Sequence, residues 1–491
     1  MNTASADGAT HAINDIVAMD AAGLAAAIAA REVSCVEVMG AYLDHIDAFN
    51  PRVNAIVSLQ DREGLMSQAR AKDAEAARGE TLGPLHGFPV AVKDLAWVKG
   101  LPCTGGSPIL KDFVPSQDSL HVERMRAAGA IFIGKTNTPE FGLGSHTYNP
   151  VHGATLNAYD PTKSAGGSSG GAAVALALRM SPVADGSDYG GSLRNPAGWN
   201  NVYGFRTSQG VVPATGEEVW LPSMAVNGPM ARTVDDLVQL LAVQAGHDPR
   251  APLSVAGDGS RFLAPLDADP KGKRIAWLGD LGGWAPYEPG VLNVCRAALK
   301  TFEALGCVVE EAVPDHDPET VWRAFMRLRH WQAGGNLLIH FKDPAKRALM
   351  KPEAVWEVEN GLTLSAYDVT AASVTRTAWS AAVRRLFERF DYLIMPTAQV
   401  FPFDVTWTWP REIAGQPMAT YHEWMKAVCL VTMSGCPSLA APAGFRAEGL
   451  PMGLQIIAPV GGDMDCLRLA HAYEAAARWG ERRPPLLLQP R

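Results

Sequence analysis

The sequence predicts an α/β fold, and three observations carry that expectation. Short apolar runs that read as strands alternate with longer stretches that read as helices. Some of those runs, such as Val90-Ala91-Val92, place apolar side chains on both faces, as a strand covered on both sides does. The third is the stretch 163–196. There Gly166-Gly167-Ser168-Ser169-Gly170-Gly171 and Gly190-Gly191-Ser192 bracket residues 172–180, a run rich in Ala and Leu with no turn residue. Ala and Leu are the best helix formers, so this run predicts a short buried helix. Its first turn directly follows the glycines, which brings the unpaired N–H groups of a helix start close to Ser168 and Ser169.

In chain order, residues 1–12 read as a loose tail. Asp20 caps a first helix through Ala30. Ser34 and Glu37 form a capping box, and Met39, Tyr42, Leu43 and Ile46 follow at helical spacing toward an end near Asn50-Pro51. Residues 55–59 read as a strand and 61–78 as a polar, Ala-rich helix. This N-terminal layer is assigned packing, or the surface of a homodimer, and no chemistry. Residues 83–94 then deliver Lys93 to the end of a strand. A lysine is rarely buried without a partner. Burial lowers the pKa of an amine, and the neutral amine is the form a general base needs. Thr104-Gly105-Gly106-Ser107 follows as a loop able to line a pocket.

Residues 119–128 read as a helix and 130–133 as a strand. The segment 129–136 formally matches G-x-x-x-x-G-K-[ST]. A phosphate loop needs a strand before its first glycine and a loop between its two glycines, so nucleotide binding is rejected. Ser181-Pro182 is expected to stop the central helix, and Val183-Ala184 to form a short strand. Gly190 and Gly191 lack Cβ, so the chain can turn sharply there and point successive N–H groups inward beside Ser192. Such a concavity is an oxyanion hole, in which one donor is worth about 3 kcal/mol to a transition state.

Thr233 and Asp236 cap a helix through Ala245. Residues 274–278 and 307–309 read as strands around a helix at 289–305, an α/β unit that continues the same sheet. Residues 316–425 are the least patterned part and are rich in aromatics. Core packing is the first reading for most of them. Residues 392–395, followed by Pro396-Thr397, read as a returning core strand, 454–458 as another, and 466–477 as a closing amphipathic helix.

The net charge of −8, from 43 basic and 51 acidic residues, leaves no general footprint for nucleic acid or an anionic membrane. No apolar run reaches spanning length. The N-terminus carries Asp7, Asp15 and Asp20 where a secretory signal would be basic. The 7 cysteines show no CxxC pair and read as free thiols of a reducing compartment, which places the chain in the cytoplasm. None of the 12 histidines has convincing metal spacing; His146 and His152 read as pocket or structural residues. No metal and no cofactor is expected.

A serine nucleophile needs a base, and no S-x-x-K pair supplies one nearby. The stretch G-G-S-S-G-G at 166–171 and G-S-D-Y-G-G-S-L-R-N-P-A at 186–197 closely resembles the signature of the amidase signature family. Further segments agree with that family: Gly87-Phe88-Pro89-Val90-Ala91-Val92-Lys93-Asp94, Gly134 to Phe141, Val202 to Arg206, and Gly228 to Leu237. One departure is Thr207, where the family often has proline. The resemblance runs from about residue 20 to the C-terminus and covers nearly the whole chain.

The resemblance implies a Ser–cis-Ser–Lys triad, with Ser192 as nucleophile, Ser168 as the bridging serine with the cis peptide, and Lys93 as base. It implies an oxyanion hole from the backbone of Tyr189, Gly190, Gly191 and Ser192, with Ser169, Asp188 and Arg194 as scaffold. It implies one large domain over residues 1–491: a twisted, mostly parallel mixed sheet with helices on both faces. Within it, residues 1–80 form the helical layer and 81–250 the catalytic core. Residues 251–491 complete the sheet and hold a variable pocket region. Gly142, Thr104, Trp407, Trp409 and Trp424 are expected at the substrate pocket, the tryptophans favouring an aryl or otherwise apolar substrate.

The expected activity is metal-independent hydrolysis of the C–N bond of a small amide, aryl amide or carbamate. The main alternative is the glutaminase subunit of a tRNA-dependent amidotransferase. A catalytically silent binding protein on the same scaffold is disfavoured, because all three triad positions are present.

Overall fold

The computed structural model describes every residue except 1–12, 81–82, 217, 222–223 and 489–491. The tail expected over residues 1–12 therefore lies outside the described residues.

Helix α1 (Ala21–Ala29) starts where the Asp20 carboxylate accepts the Gly23 N–H. The capping box of Ser34 and Glu37 opens α2 (Cys35–Phe49), whose buried stripe includes Met39, Tyr42, Leu43 and Ile46. Strand β1 (Ile56–Val57) and helix α3 (Arg62–Ala77), capped by Asp61, follow. Strand β2 (Pro89–Lys93) is buried along its whole length. Strand β3 (Ile131–Thr136) lies parallel to β2 and antiparallel to β1. It continues as strand through Gly134 and Lys135, with a register shift against β2 at Ile133 but no loop, so nothing resembling a phosphate cradle forms.

Helix α4 (Gly170–Ala177) buries all 8 of its residues. It ends one turn before the expected proline stop. Arg179 takes a left-handed φ of 58°, and the N–H groups of Arg179 and Met180 return to Leu176 and Ala175. That is a helix-terminating motif carried here by arginine, so Pro182 follows an end already made.

The next strand, β4 (Ala184–Asp188), belongs to an eight-stranded sheet with β5 (Tyr203–Arg206), β6 (Val226–Ala231), β7 (Arg274–Trp277), β8 (Val308–Glu311), β9 (Tyr392–Pro396), β10 (Ser438–Phe445) and β11 (Pro451–Ile457). Its order is β8-β7-β9-β11-β10-β5-β6-β4. The sheet is mixed and flanked by helices, as expected, but the balance differs from mostly parallel. Only β8/β7 and β7/β9 pair in parallel; the other neighbours are antiparallel. The helix Val291–Ala304 supplies the crossover that the β7/β8 pair requires, whereas β10 and β11 are joined by a short turn that forces antiparallel pairing.

Residues 316–425, read as least patterned, contain three substantial helices: α5 (Pro318–Phe341), α6 (Pro352–Leu362) and α7 (Ala366–Phe387). Their start signals are present in the sequence, in the Asp317 cap before Pro318 and a capping box of Ser365 with Asp368. Two large apolar cores flank the signature stretch, which feeds both: Trp199 enters one, Leu193 and Ala197 the other. All seven cysteines are free and buried. Among the described residues, no helix is long and apolar enough to cross a membrane.

Gly171 lets α4 lie directly on the neighbouring backbone: a Cβ there would stand 2.3 Å from the Asn137 nitrogen and 2.6 Å from the Ala55 oxygen. Both neighbours are main chain and cannot swing aside. Gly171→Ala is expected to cost about 1–3 kcal/mol and to lower the thermal unfolding midpoint; an unchanged midpoint would show that the helix does not sit this close.

Candidate active site

Lys93 closes β2 and is 1% exposed. Its backbone N–H donates to Asp185 Oδ1 on β4 at 2.9 Å, which aligns the two strand ends. Its Nζ lies 2.8 Å from both Ser168 Oγ and Ser169 Oγ, 3.0 Å from Ser187 Oγ and 3.3 Å from the Ser187 carbonyl. Burial pushes the amine down to about 7, against the opposing pull of Asp185 and Asp188. Ser187 and Asp185, which the sequence reading did not assign to the site, are thus direct partners of the lysine.

Ser168 follows a cis Gly167–Ser168 peptide. A Cβ on Gly167 would press on the backbone of Ser145 and His146 at 3.0 Å, so glycine suits this close approach. The Ser169 N–H donates to the Ser192 carbonyl at 3.2 Å and ties the two glycine-flanked segments together. Among the described residues, no hydrogen bond joins the hydroxyls of Ser168 and Ser192. Both nonetheless line one cavity of about 370 Å³, and Lys93 does not line it.

The loop that carries Ser192 is held by one buried carboxylate. Asp188 accepts the N–H groups of Gly191 (2.9 Å) and Leu193 (3.0 Å), Nε and Nη2 of Arg194 (3.0 and 2.9 Å), and Nη1 of Arg206 (3.3 Å). Burial pushes this carboxyl upward, but Arg194 and Arg206 outweigh it and hold it well below the usual carboxylate range. Arg194 is buried and also donates to Val428 O, Gln455 Oε1 and Thr432 Oγ1. Because the Gly191 N–H is committed to Asp188, that donor is withdrawn from the expected set of four. Gly191 shapes the loop instead: its φ is 107°, and a Cβ would meet Val428 Cγ1 at 2.8 Å.

The cavity has two unlike walls. One is apolar, formed by Leu95, Trp97, Leu110, Phe113 and Phe141, with Trp97 and Phe113 edge-to-face at 5.7 Å. The other is a face of α5 carrying Arg329, Gln332, Asn336 and His340. Those four recur at helical spacing in the sequence, a signal that could have placed them together.

Gly142 lines the cavity as expected. Thr104 does not; it is turned away onto Asp94, to which its hydroxyl and N–H both donate, while its neighbours Cys103 and Gly105 reach the cavity. The three tryptophans expected at the pocket lie elsewhere. Trp424 is buried and stacks on Trp199 at 5.7 Å. Trp409 donates to Met418 O and lies under the Arg411 guanidinium. Trp407 is 52% exposed and borders a separate cavity.

His146 is a structural residue, held between Ser164 Oγ (2.7 Å) and Val405 O (3.0 Å), and burial pushes it down to about 4. His152 sits 3.2 Å from Thr104 Oγ1. Among the described residues, no group of three or more His, Cys, Asp or Glu is arranged to hold a metal ion.

Asp188→Asn would leave two buried guanidiniums facing a neutral amide. The expected loss is about 3–5 kcal/mol of stability, read by thermal or denaturant unfolding; a loss under about 1 kcal/mol would mean the carboxylate is not the pin of this loop.

The chain is similar to several known proteins. An acylamidase of Rhodococcus erythropolis is 34% identical, over 95% of this chain and 97% of its own length. A glutamyl-tRNA(Gln) amidotransferase subunit of Acidothermus cellulolyticus is 35% identical, over 97% of each. The crystal structure of a bacterial aryl acylamidase of the amidase signature enzymes superposes with a TM-score of 0.89 at 28% identity, covering 96% of this chain and 99% of that one. With the amidase family model matching residues 37–467, a span that holds the buried lysine, both serines and the Asp188 clamp, the chain belongs to the amidase family.

Proposed function

We propose that the chain hydrolyses the C–N bond of a small amide through a Ser192 acyl-enzyme, without a metal. The observation that carries this reading is the buried Lys93 amine 2.8 Å from Ser168 Oγ, with Ser168 and Ser192 opening on one cavity. Near neutral pH the amine is substantially free of its extra proton, so it can accept one from Ser168. Ser168 in turn takes the proton of Ser192 as Ser192 Oγ attacks the carbonyl carbon. Nucleophile and base commonly stand further apart before substrate binds than during reaction.

The backbone N–H groups of Tyr189, Gly190 and Ser192 are assigned to the oxyanion, each worth about 3 kcal/mol. As the tetrahedral intermediate collapses, Ser168 returns its proton to the leaving amine. Water then opens the acyl-enzyme by the same relay. The apolar wall of Trp97, Phe113, Leu110 and Phe141 supports an aryl group on the substrate, in place of the tryptophans first assigned that role.

A second reading is the glutaminase subunit of a tRNA-dependent amidotransferase. It is favoured by several relatives carrying the name of a glutamyl-tRNA(Gln) amidotransferase component at 33–35% identity over most of this chain. The two readings part on partner dependence. The purified chain alone is expected to turn over members of a panel of p-nitroanilides, primary amides and carbamates, and Ser192→Ala to abolish that turnover while the fold persists. Activity restricted to glutamine, and only with partner subunits, would establish the second reading.

The free amine is the active form of Lys93, so kcat/KM is expected to rise with pH through an acidic limb near 7. A profile flat across that region would remove Lys93 as the titrating base.

A further inference from the structure

Four polar side chains of α5 line the main cavity, and they are not equally free. Arg329 is committed to protein: its Nε donates to Glu357 Oε1 at 3.2 Å, and its guanidinium lies 4.6 Å from the centre of the Tyr189 ring. Gln332 Oε1 accepts the Tyr189 hydroxyl at 2.6 Å. Asn336 and His340, further along the same face, differ. Neither side chain makes a hydrogen bond among the described residues. They lie one turn apart, about 6 Å along the helix axis.

His340 is held in place without being satisfied. Its ring stacks on Phe141 with centres 5.7 Å apart and planes at 17°. Its Nδ1 is sealed in protein with no partner, so Nε2 is the nitrogen left to meet a ligand. Burial, helped by the Lys346 ammonium, lowers its pKa and keeps the ring neutral. Nε2 therefore donates or accepts according to the tautomer. Asn336 is exposed and offers both an amide oxygen and an amide NH2.

The contacts also say which half of a substrate meets this pair. Phe141 is followed by Gly142, on which a Cβ would stand 3.7 Å from Ser168 Oγ. Ser168 is the group that returns a proton to the departing amine, so Phe141 and His340 lie along the amine half. Across the cavity, Leu95, Trp97, Leu110 and Phe113 form the apolar wall. An arylamine between the walls packs its ring on the apolar side and turns a substituent toward α5. A hydrocarbon substituent there displaces water from Asn336 and His340 and returns no hydrogen bond. A hydroxyl is a single atom and reaches one of the two. A carboxamide carries a donor and an acceptor on separate atoms, so it meets both at once and suits either tautomer.

We propose that Asn336 and His340 select the leaving group, so that the preferred substrates are anilides whose ring carries a carboxamide opposite the scissile nitrogen, R–C(=O)–NH–C6H4–C(=O)NH2. This rests on the reading of Ser192 as nucleophile and Ser168 as proton donor. The two residues determine specificity and take no part in bond cleavage. The Ser192 Oγ–C bond forms, the C–N bond to the arylamine breaks, and the proton of Ser192 reaches the leaving nitrogen through Ser168.

4-Acetamidobenzamide and 4-methylacetanilide share an acyl group and differ only in the ring substituent. The ratio of their kcat/KM values, compared between proteins, therefore isolates the α5 pair from the chemistry of the leaving amine. In Asn336→Leu, and separately in His340→Phe, which keeps a ring against Phe141, the ratio of benzamide to toluidide is expected to fall about fivefold, the loss of roughly one hydrogen bond. A ratio left unchanged by either variant, including an equal loss on both substrates, overturns the proposal. Failure of the unaltered protein to turn over either anilide overturns both this inference and the aryl-amide reading beneath it. Turnover that Ser192→Ala abolishes, together with an unmoved ratio, leaves the amide-hydrolase reading intact and removes only this inference.

Discussion

A lysine amine kept out of water is the constraint on which the rest of the molecule turns. A charged ammonium in the Lys93 position would lose its hydration for the company of three hydroxyls and one carbonyl. The surroundings are poised near balance. Burial drives the proton off, while Asp185 and Asp188 draw it back, and the amine comes to rest near neutrality. A carboxylate in direct contact with Nζ would have made a permanent ion pair. Asp185 instead holds the Lys93 backbone N–H, and Asp188 is committed to two guanidiniums.

That commitment couples Lys93 to the loop that carries Ser192. Asp188 ends the strand whose Ser187 touches Lys93, and it fixes Gly191, Leu193 and Arg194 on the following turn. Buried ion pairs are a weak source of stability, because desolvation offsets their attraction. Here the pair buys geometry: five donors converge on one carboxylate and leave the turn a single arrangement. Glycines supply the rest, at places where neighbouring atoms leave no room for a side chain.

The two cavity walls have different origins. Ser168, Ser192 and the turn over 189–192 come from the signature stretch, and much of the facing wall comes from one side of α5. A buried cluster around Glu357 braces that wall, joining α5 to α6 and to the segment of Tyr421 and His422. The two serines and the facing helical wall thus come from separate parts of the chain.

Much of this was legible in the sequence because it is local. Caps at Asp20, Ser34, Asp61 and Thr233 start helices through contacts three residues away. The run over 172–180 allowed little but a buried helix, and the motifs pointed to two serines that line one cavity and to a lysine in contact with one of them. The body of α7 was not legible, because it buries a thin stripe: Ala372, Trp379, Ala382, Val383 and Leu386 out of 22 residues. Nor was the direction of Trp407, Trp409 and Trp424, since an aromatic residue states its need for contact but not with what. The sequence by itself determined the chemical groups, the cis-serine turn that the motif implied, and most local elements, all set by near neighbours in the chain. Only the tertiary structure decided the antiparallel balance of the sheet, the withdrawal of the Gly191 N–H onto Asp188, and the shape of the cavity. Each of those depends on which distant segment arrives opposite, and no local propensity encodes that.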